Sequence, residues 1–131
     1  MIDKRQKLYQ EIGEFIGDFV RDLNHLTEDG WTVLVEGQRD ERALEKLGYK
    51  GRLVTAASFA RKGGAAFGAC RKVVVLTDLD REGSVLASKY VKRLQHDGFR
   101  ASLRERLRLK VAARGVFLHV ENLRRFAHEE D

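Results

Sequence analysis

The stretch Val73-Val-Val-Leu-Thr-Asp-Leu-Asp-Arg-Glu-Gly83 constrains this chain more than any other. Val73 to Leu76 is apolar and rich in β-branched residues, the pattern of a strand buried on both faces. Asp78, Asp80 and Glu82 follow at every second position, and from Gly83 an apolar pattern resumes at helical spacing. Open α/β sheets bind their ligands where a strand gives way to a helix, at its carboxyl end. Three carboxylates crowded there are costly unless a cation neutralises them. The stretch therefore predicts a divalent-metal site at the carboxyl end of a central parallel strand.

The flanking sequence supplies the rest of such a sheet. Asp3 to Glu28 reads as one amphipathic helix, with Leu8, Ile12, Phe15, Ile16, Phe19, Leu23 and Leu26 on one stripe. Gly13 and Gly17 interrupt it; with Tyr9 and Val20 they offer a face for close approach of another backbone, a second copy included, and a merely tolerated glycine is the plainer reading. Trp31 to Val35 is a strand that runs into Glu36-Gly37 and Asp40, and a helix follows from Arg39 to Leu47. Leu53 to Ala56 is a second strand. Ser58 is placed to cap a brief helix containing Arg61 and Lys62, which Gly63-Gly64 ends.

After the central strand comes a helix from Gly83 to His96, with Val85, Leu86, Tyr90, Val91 and Leu94 as its expected buried face. Phe99 to Leu103 fits a fourth strand. Leu103, Leu107 and Val111 suit a helix, while Leu107, Leu109 and Val111 alternate as a strand would. Val116 to Val120 fits a last strand or an extended segment, and the polar tail from His128 is expected to fray. Alternating strands and helices define an α/β fold: a mostly parallel sheet of about four strands with flanking helices and an N-terminal helix.

At 131 residues the chain suits one domain with a continuous core. Cys70 stands alone, which excludes a disulfide framework and a thiolate zinc site and suits a reducing, cytoplasmic setting. No apolar run reaches the length of a membrane span, and the start lacks a signal-peptide pattern. His25, His96, His119 and His128 are scattered without ligand spacing. The net charge of +5 is uneven, at −2 over residues 1–60 and +7 over residues 61–131. A basic half beside an acidic site suggests a polyanionic partner, though a charge-laced solvated surface gives the same composition.

Glu36 stands after the first strand as Asp78 stands after the third. If those strands are neighbours, the acids share one crevice, suited to Mg²⁺ (or Mn²⁺ in its place) bound through oxygen and acting on a phosphate group. Glu36, set slightly apart, is then free to act as general acid or base. Val35-Glu36-Gly37 with Asp40, followed by Thr77-Asp78-Leu79-Asp80-Arg81-Glu82-Gly83, resembles the two motifs of the Toprim domain. Type IA and type II topoisomerases, bacterial-type primases, OLD-family nucleases, RecR recombination proteins and the maturase of 5S ribosomal RNA share that domain.

The resemblance implies a Rossmann-like Toprim domain over residues 30–120, with a helical extension at 1–29 and a tail at 121–131. It implies Glu36 as general acid or base and Asp78, Asp80 and Glu82 as Mg²⁺ ligands, with Asp40 as a supporting acid or only a helix cap. Type IA enzymes often place a further glutamate after Arg-Glu-Gly, where this chain has Ser84. Within these 131 residues no topoisomerase cleavage domain with its tyrosine, primase zinc domain or OLD-nuclease ATPase is expected. The resemblance is thus to small stand-alone Toprim proteins. Arg61, Lys62, Arg81, Arg104, Arg106, Arg108 and Lys110 are the expected contacts to an RNA or DNA backbone, and few aromatics are available for base stacking.

Two functions fit. One is a Mg²⁺-dependent enzyme that cuts or matures nucleic acid. The other is a non-catalytic Toprim module that holds nucleic acid or a partner subunit, or pairs as a homodimer, and relies on another chain for chemistry. An aspartyl-phosphate phosphotransferase fits less well, because its Asp-x-Asp motif usually follows the first strand.

Overall fold

The computed structural model describes residues 3–127; the expected frayed tail from His128 lies outside them. Strands β1 (Trp31–Val35), β2 (Leu53–Thr55), β3 (Lys72–Val75) and β4 (Arg100–Ser102) form one sheet, wholly parallel, in the order β2-β1-β3-β4. Helices α1 (Lys4–Glu28), α2 (Gln38–Lys46), α3 (Ala56–Lys62), α4 (Arg81–His96) and α5 (Arg104–Ala113) flank it, with 3-10 turns at Gly63–Phe67 and Val120–Phe126. The expected α/β class and N-terminal helix are both present.

Alternation along the central strands explains why they read as unbroken apolar runs. Val33, Val35 and Val74 join the core on one face of the sheet, while Leu34, Val73 and Val75 join the core on the other. The first core also takes Ile12, Ile16, Phe19, Val20 and Leu23 of α1 and Leu109 of α5, and the second takes Phe59 of α3 and Ala87 and Leu94 of α4. Each fully buried side chain of this size contributes about 1.5–3 kcal/mol through removal from water. α1 is therefore a layer of the main core rather than an appendage. Val120 and Leu123 belong to the same core, and Phe126 packs against it.

Strand order creates the crevice. From β1 the chain passes through α2 to β2 on one side, and later returns to β3 on the other. The direction of winding reverses between β1 and β3, which leaves their carboxyl ends open to a ligand. Register places Leu34 beside Val75, so the residues after each strand emerge together.

Four local expectations are corrected. α4 begins at Arg81 rather than Gly83, because Asp80 is its N-cap and accepts a hydrogen bond from Gly83 N. On this helix Val85 faces outward, 64% exposed, while Gly83 and Ala87 face inward. α3 is capped by Thr55, whose Oγ1 accepts from Ser58 N, rather than by Ser58. α5 settles the ambiguity at 103–111 as helix, but Leu107 and Val111 are exposed while Glu105, Arg106, Leu109 and Ala113 are buried. Residues 116–120 form no strand; their backbone groups bond to the Asp78 loop instead.

Candidate functional site

Two short loops build the site at the crevice. Glu36 leaves β1, and its Oε2 accepts a hydrogen bond of 2.6 Å from Asp78 N, at the end of the loop leaving β3. The two sequence motifs thus meet directly, as adjacency of their strands required. Burial pushes the Glu36 carboxyl above its usual range against the opposing hydrogen bond from Asp78 N, and the nearby charges of Asp78 and Asp40 push the same way.

Asp78 is held from several sides. Its Oδ1 accepts from Val120 N at 2.8 Å, and its Oδ2 lies 3.3 Å from His119 Nδ1. Its carbonyl accepts from Arg106 Nη2 at 2.7 Å and Nε at 3.3 Å, and the same Nη2 reaches Ser84 Oγ at 3.1 Å. Leu79 N bonds to Leu118 O at 2.6 Å, so the segment before the C-terminal turn is strapped across the loop. Thr77 Oγ1 donates to Gly83 O at 2.7 Å, which closes the loop onto the start of α4. Gly83 is required there because a Cβ would overlap the Asp78 carbonyl.

Asp78, Asp80 and His119 each offer a donor atom, all within 4.8 Å of one another. Asp80 Oδ2 lies 3.8 Å from His119 Nδ1. The hydrogen bond to Asp78, together with the charges of Asp78, Asp80 and Glu121, raises the exposed His119 imidazole above its usual value, although slight burial opposes this. A proton there occupies the position a cation would take, so metal binding would displace it. Two carboxylates and an imidazole fit a divalent cation. The oxygens suit Mg²⁺, while the imidazole tilts the set toward Mn²⁺ or another first-row metal.

Glu82 departs from this grouping. It is exposed on the first turn of α4 and is not among the clustered donors. Asp40 is buried and serves as a cap, its Oδ2 accepting from Gly37 N at 2.9 Å. Burial again pushes its carboxyl up, with Asp78 and Glu121 adding to the shift and backbone hydrogen bonds opposing it. Glu36, Asp40, Asp78 and Glu121 line an open cleft of about 480 Å³.

The expected basic contacts scatter. Arg106 is the buried brace just described, its charge disfavoured by burial and supported by Asp80, Glu36 and Asp78. Arg108 pairs with Asp22 at 3.3 Å and lies over the Phe15 ring at 5.7 Å, facing α1. Arg104 and Lys110 are exposed on α5, and Arg81 on the first turn of α4. Arg61 and Lys62 sit in the last turn of α3, within the brief helix expected there. The following glycines lie against Phe99, ahead of β4, and Arg93, late in α4, which puts them at the amino edge of the sheet, opposite the acids.

His119 was invisible to sequence reasoning, because nothing in its spacing links it to residues some forty positions away. Arg39, Arg42 and Lys46 share one helical face of α2, at i, i+3 and i+7, a pattern the sequence itself carries.

These features define a parallel α/β protein with a carboxylate–imidazole centre at its topological switch point. The chain belongs to the UPF0292 family. It is 31% identical over 122 residues to a UPF0292 protein of Methanosarcina barkeri, covering 89% of this chain and 83% of that one. It is 31% identical over 102 residues to one of Pyrococcus abyssi, covering 77% of each, and 33% over 106 residues to one of Thermococcus gammatolerans, covering 80% of each. A solved structure of a protein from Aquifex aeolicus shares the fold, with a TM-score of 0.65 and 24% identity over 80% of this chain and 94% of that one. No family model matches the chain. Among the described residues no helix is long and apolar enough to cross a membrane.

Proposed function

We propose that the chain is a Toprim-like protein that processes phosphodiesters of nucleic acid with a divalent cation, Mg²⁺ or Mn²⁺. Asp78, Asp80 and His119 hold the cation, and Glu36 is the general acid or base. The observation that carries this reading is the 2.6 Å hydrogen bond between Asp78 N and Glu36 Oε2, which sets a proton-handling carboxyl beside the clustered donors. When bound, such a cation supplies charge neutralisation for the phosphate and Lewis acidity.

The residues of the chain divide the remaining work. Glu36, with its raised carboxyl, retains a proton closer to neutrality than an exposed glutamate does, so it can give a proton to a leaving oxygen or take one from an attacking hydroxyl. Asp40 fixes Gly37 and with it the exit of β1. Arg106 holds the Asp78 carbonyl and Val120 N one of its carboxylate oxygens, which together orient the Asp78 side chain.

The test pairs Glu36→Gln with the double variant Asp78→Asn, Asp80→Asn on a panel of structured RNA and DNA. Glu36→Gln is expected to lower cleavage by about 10²–10⁴-fold, the usual contribution of a general acid or base, while Mn²⁺ binding followed by electron paramagnetic resonance persists. The double variant is expected to lose both. Wild-type cleavage that survives Glu36→Gln, or Mn²⁺ binding that survives the double variant, defeats the assignment. A wild-type protein that binds the oligonucleotides and cuts none of them supports the non-catalytic module instead.

A further inference from the structure

Beside the acidic cleft lies a second cavity of about 440 Å³, between α2 and the 3-10 turn at Val120–Phe126. Arg39, Arg42 and Lys46 of α2 and Arg124 of the turn line it, with Ala43 and Glu121. Four cations face one carboxylate. Arg39 approaches Glu121 at 3.9 Å, and Arg42, Lys46 and Arg124 form no ion pair with any described residue.

Exposed arginines and lysines usually do no more than solvate a surface. Two observations set this group apart. The cations converge on a concavity from two elements that are remote in sequence, and such like charges repel unless an anion joins them. The concavity also adjoins the acidic cleft, for Arg39 and Glu121 line both. A chain of phosphates that places one phosphodiester beside Glu36 and Asp78 would carry a neighbouring phosphate toward Arg42, Lys46 and Arg124. An acidic centre and a basic seat side by side suit a polymer with regularly spaced phosphates better than a single small anion.

We propose that this basic pocket seats a backbone phosphate of the nucleic-acid strand whose neighbouring phosphodiester occupies the acidic cleft. The inference rests on the nucleic-acid reading above and adds to it the surface that fixes the strand's path, over α2 and the C-terminal turn. It assigns the contact to Arg42, Lys46 and Arg124 rather than to the basic residues of α3 and α5.

The test uses the full chain and fluorescently labelled single-stranded RNA and DNA oligonucleotides, titrated at several salt concentrations. The triple variant Arg42→Gln, Lys46→Gln, Arg124→Gln is compared with wild type and with a control, Arg61→Gln, Lys62→Gln, at the opposite edge of the sheet. All five residues are exposed, and circular dichroism checks that the fold persists. Loss of the contact to this one phosphate is expected to reduce the slope of log K against log salt by about 0.7 for single strands. Affinity at low salt should fall at least tenfold, while Mn²⁺ binding and the control variant stay unchanged.

Two results overturn the pocket and leave the broader reading standing: a triple variant that keeps the wild-type slope and affinity, or a control variant that loses as much as the triple. A wild-type protein that binds neither oligonucleotide at any salt overturns the nucleic-acid reading itself, and this inference with it.

Discussion

Asp40 shows how one side chain is set by conflicting demands. It caps Gly37 N, yet burial and the nearby acids raise its carboxyl above the ordinary range. A carboxyl raised on folding supports stability below its unfolded pKa and loses that support as pH rises through the folded value. At neutral pH the charge therefore opposes folding, while the acceptor oxygen favours it. Asp40→Asn keeps an acceptor and removes the charge, so it should equal or exceed wild type in urea denaturation at pH 7. That advantage should vanish as pH falls to about 4, the ordinary carboxylate pKa. Asp40→Ala removes the cap and should cost about 1 kcal/mol. An asparagine variant weaker than wild type at pH 7 but not at pH 4 would contradict the argument. Gly83, by contrast, answers to one demand, that of space. Gly83→Ala drives a methyl into the Asp78 carbonyl, so the loop must shift; a loss of about 1–3 kcal/mol is expected. Weaker Mn²⁺ binding should accompany it, and an alanine variant with unchanged stability and metal affinity would show that the loop tolerates the methyl.

At the scale of elements, legibility followed the match between burial and hydrophobicity. α1, β1 and β3 were readable because their apolar spacing is the spacing of their buried faces. α5 was not, because its inward face carries Glu105 and Arg106, satisfied by Ser102 Oγ and by the Asp78 carbonyl, while Leu107 and Val111 face outward. Periodicity assumes that what is buried is apolar, and a polar brace inverts the signal. Residues 116–120, a nearly unbroken apolar run, suit a strand or an extended segment equally in sequence, and their backbone bonds serve the Asp78 loop rather than the sheet. The glycines of α1 also resolve. A Cβ at Gly17 meets nothing within 4 Å, and one at Gly13 meets only the Phe126 ring at 3.7 Å, so neither marks a close helix approach within the chain. Gly17→Ala should therefore stabilise the protein by about 1 kcal/mol through helix propensity, read as a thermal midpoint about 2–6 °C higher. A lowered midpoint would mean that something outside the chain occupies that face.

Across the whole molecule, the charge that matters is assembled by folding rather than by position in the chain. Sequence halves gave an acidic first part and a basic second part, yet the basic pocket draws Arg39, Arg42 and Lys46 from the first and Arg124 from the second. The donor cluster is assembled in the same way, since His119 reaches Asp78 and Asp80 only because the C-terminal segment is strapped over the loop. Glu36 and the two aspartates were legible because each follows a strand; the histidine depends on a long-range contact that no local pattern encodes. This strap makes the donor cluster a property of the fold as a whole. A cation that binds the native chain and not the unfolded one adds about 2.7 kcal/mol at a hundredfold excess over its dissociation constant. Millimolar Mn²⁺ is therefore expected to raise the thermal midpoint of the wild type by several degrees, and chelation to reverse the rise. His119→Ala should shrink the rise and Asp78→Asn with Asp80→Asn should abolish it. If Mn²⁺ leaves the wild-type midpoint unmoved, the cluster does not hold metal; if His119→Ala responds as wild type does, the aspartates hold it without the imidazole, and the strap serves only to position Asp78.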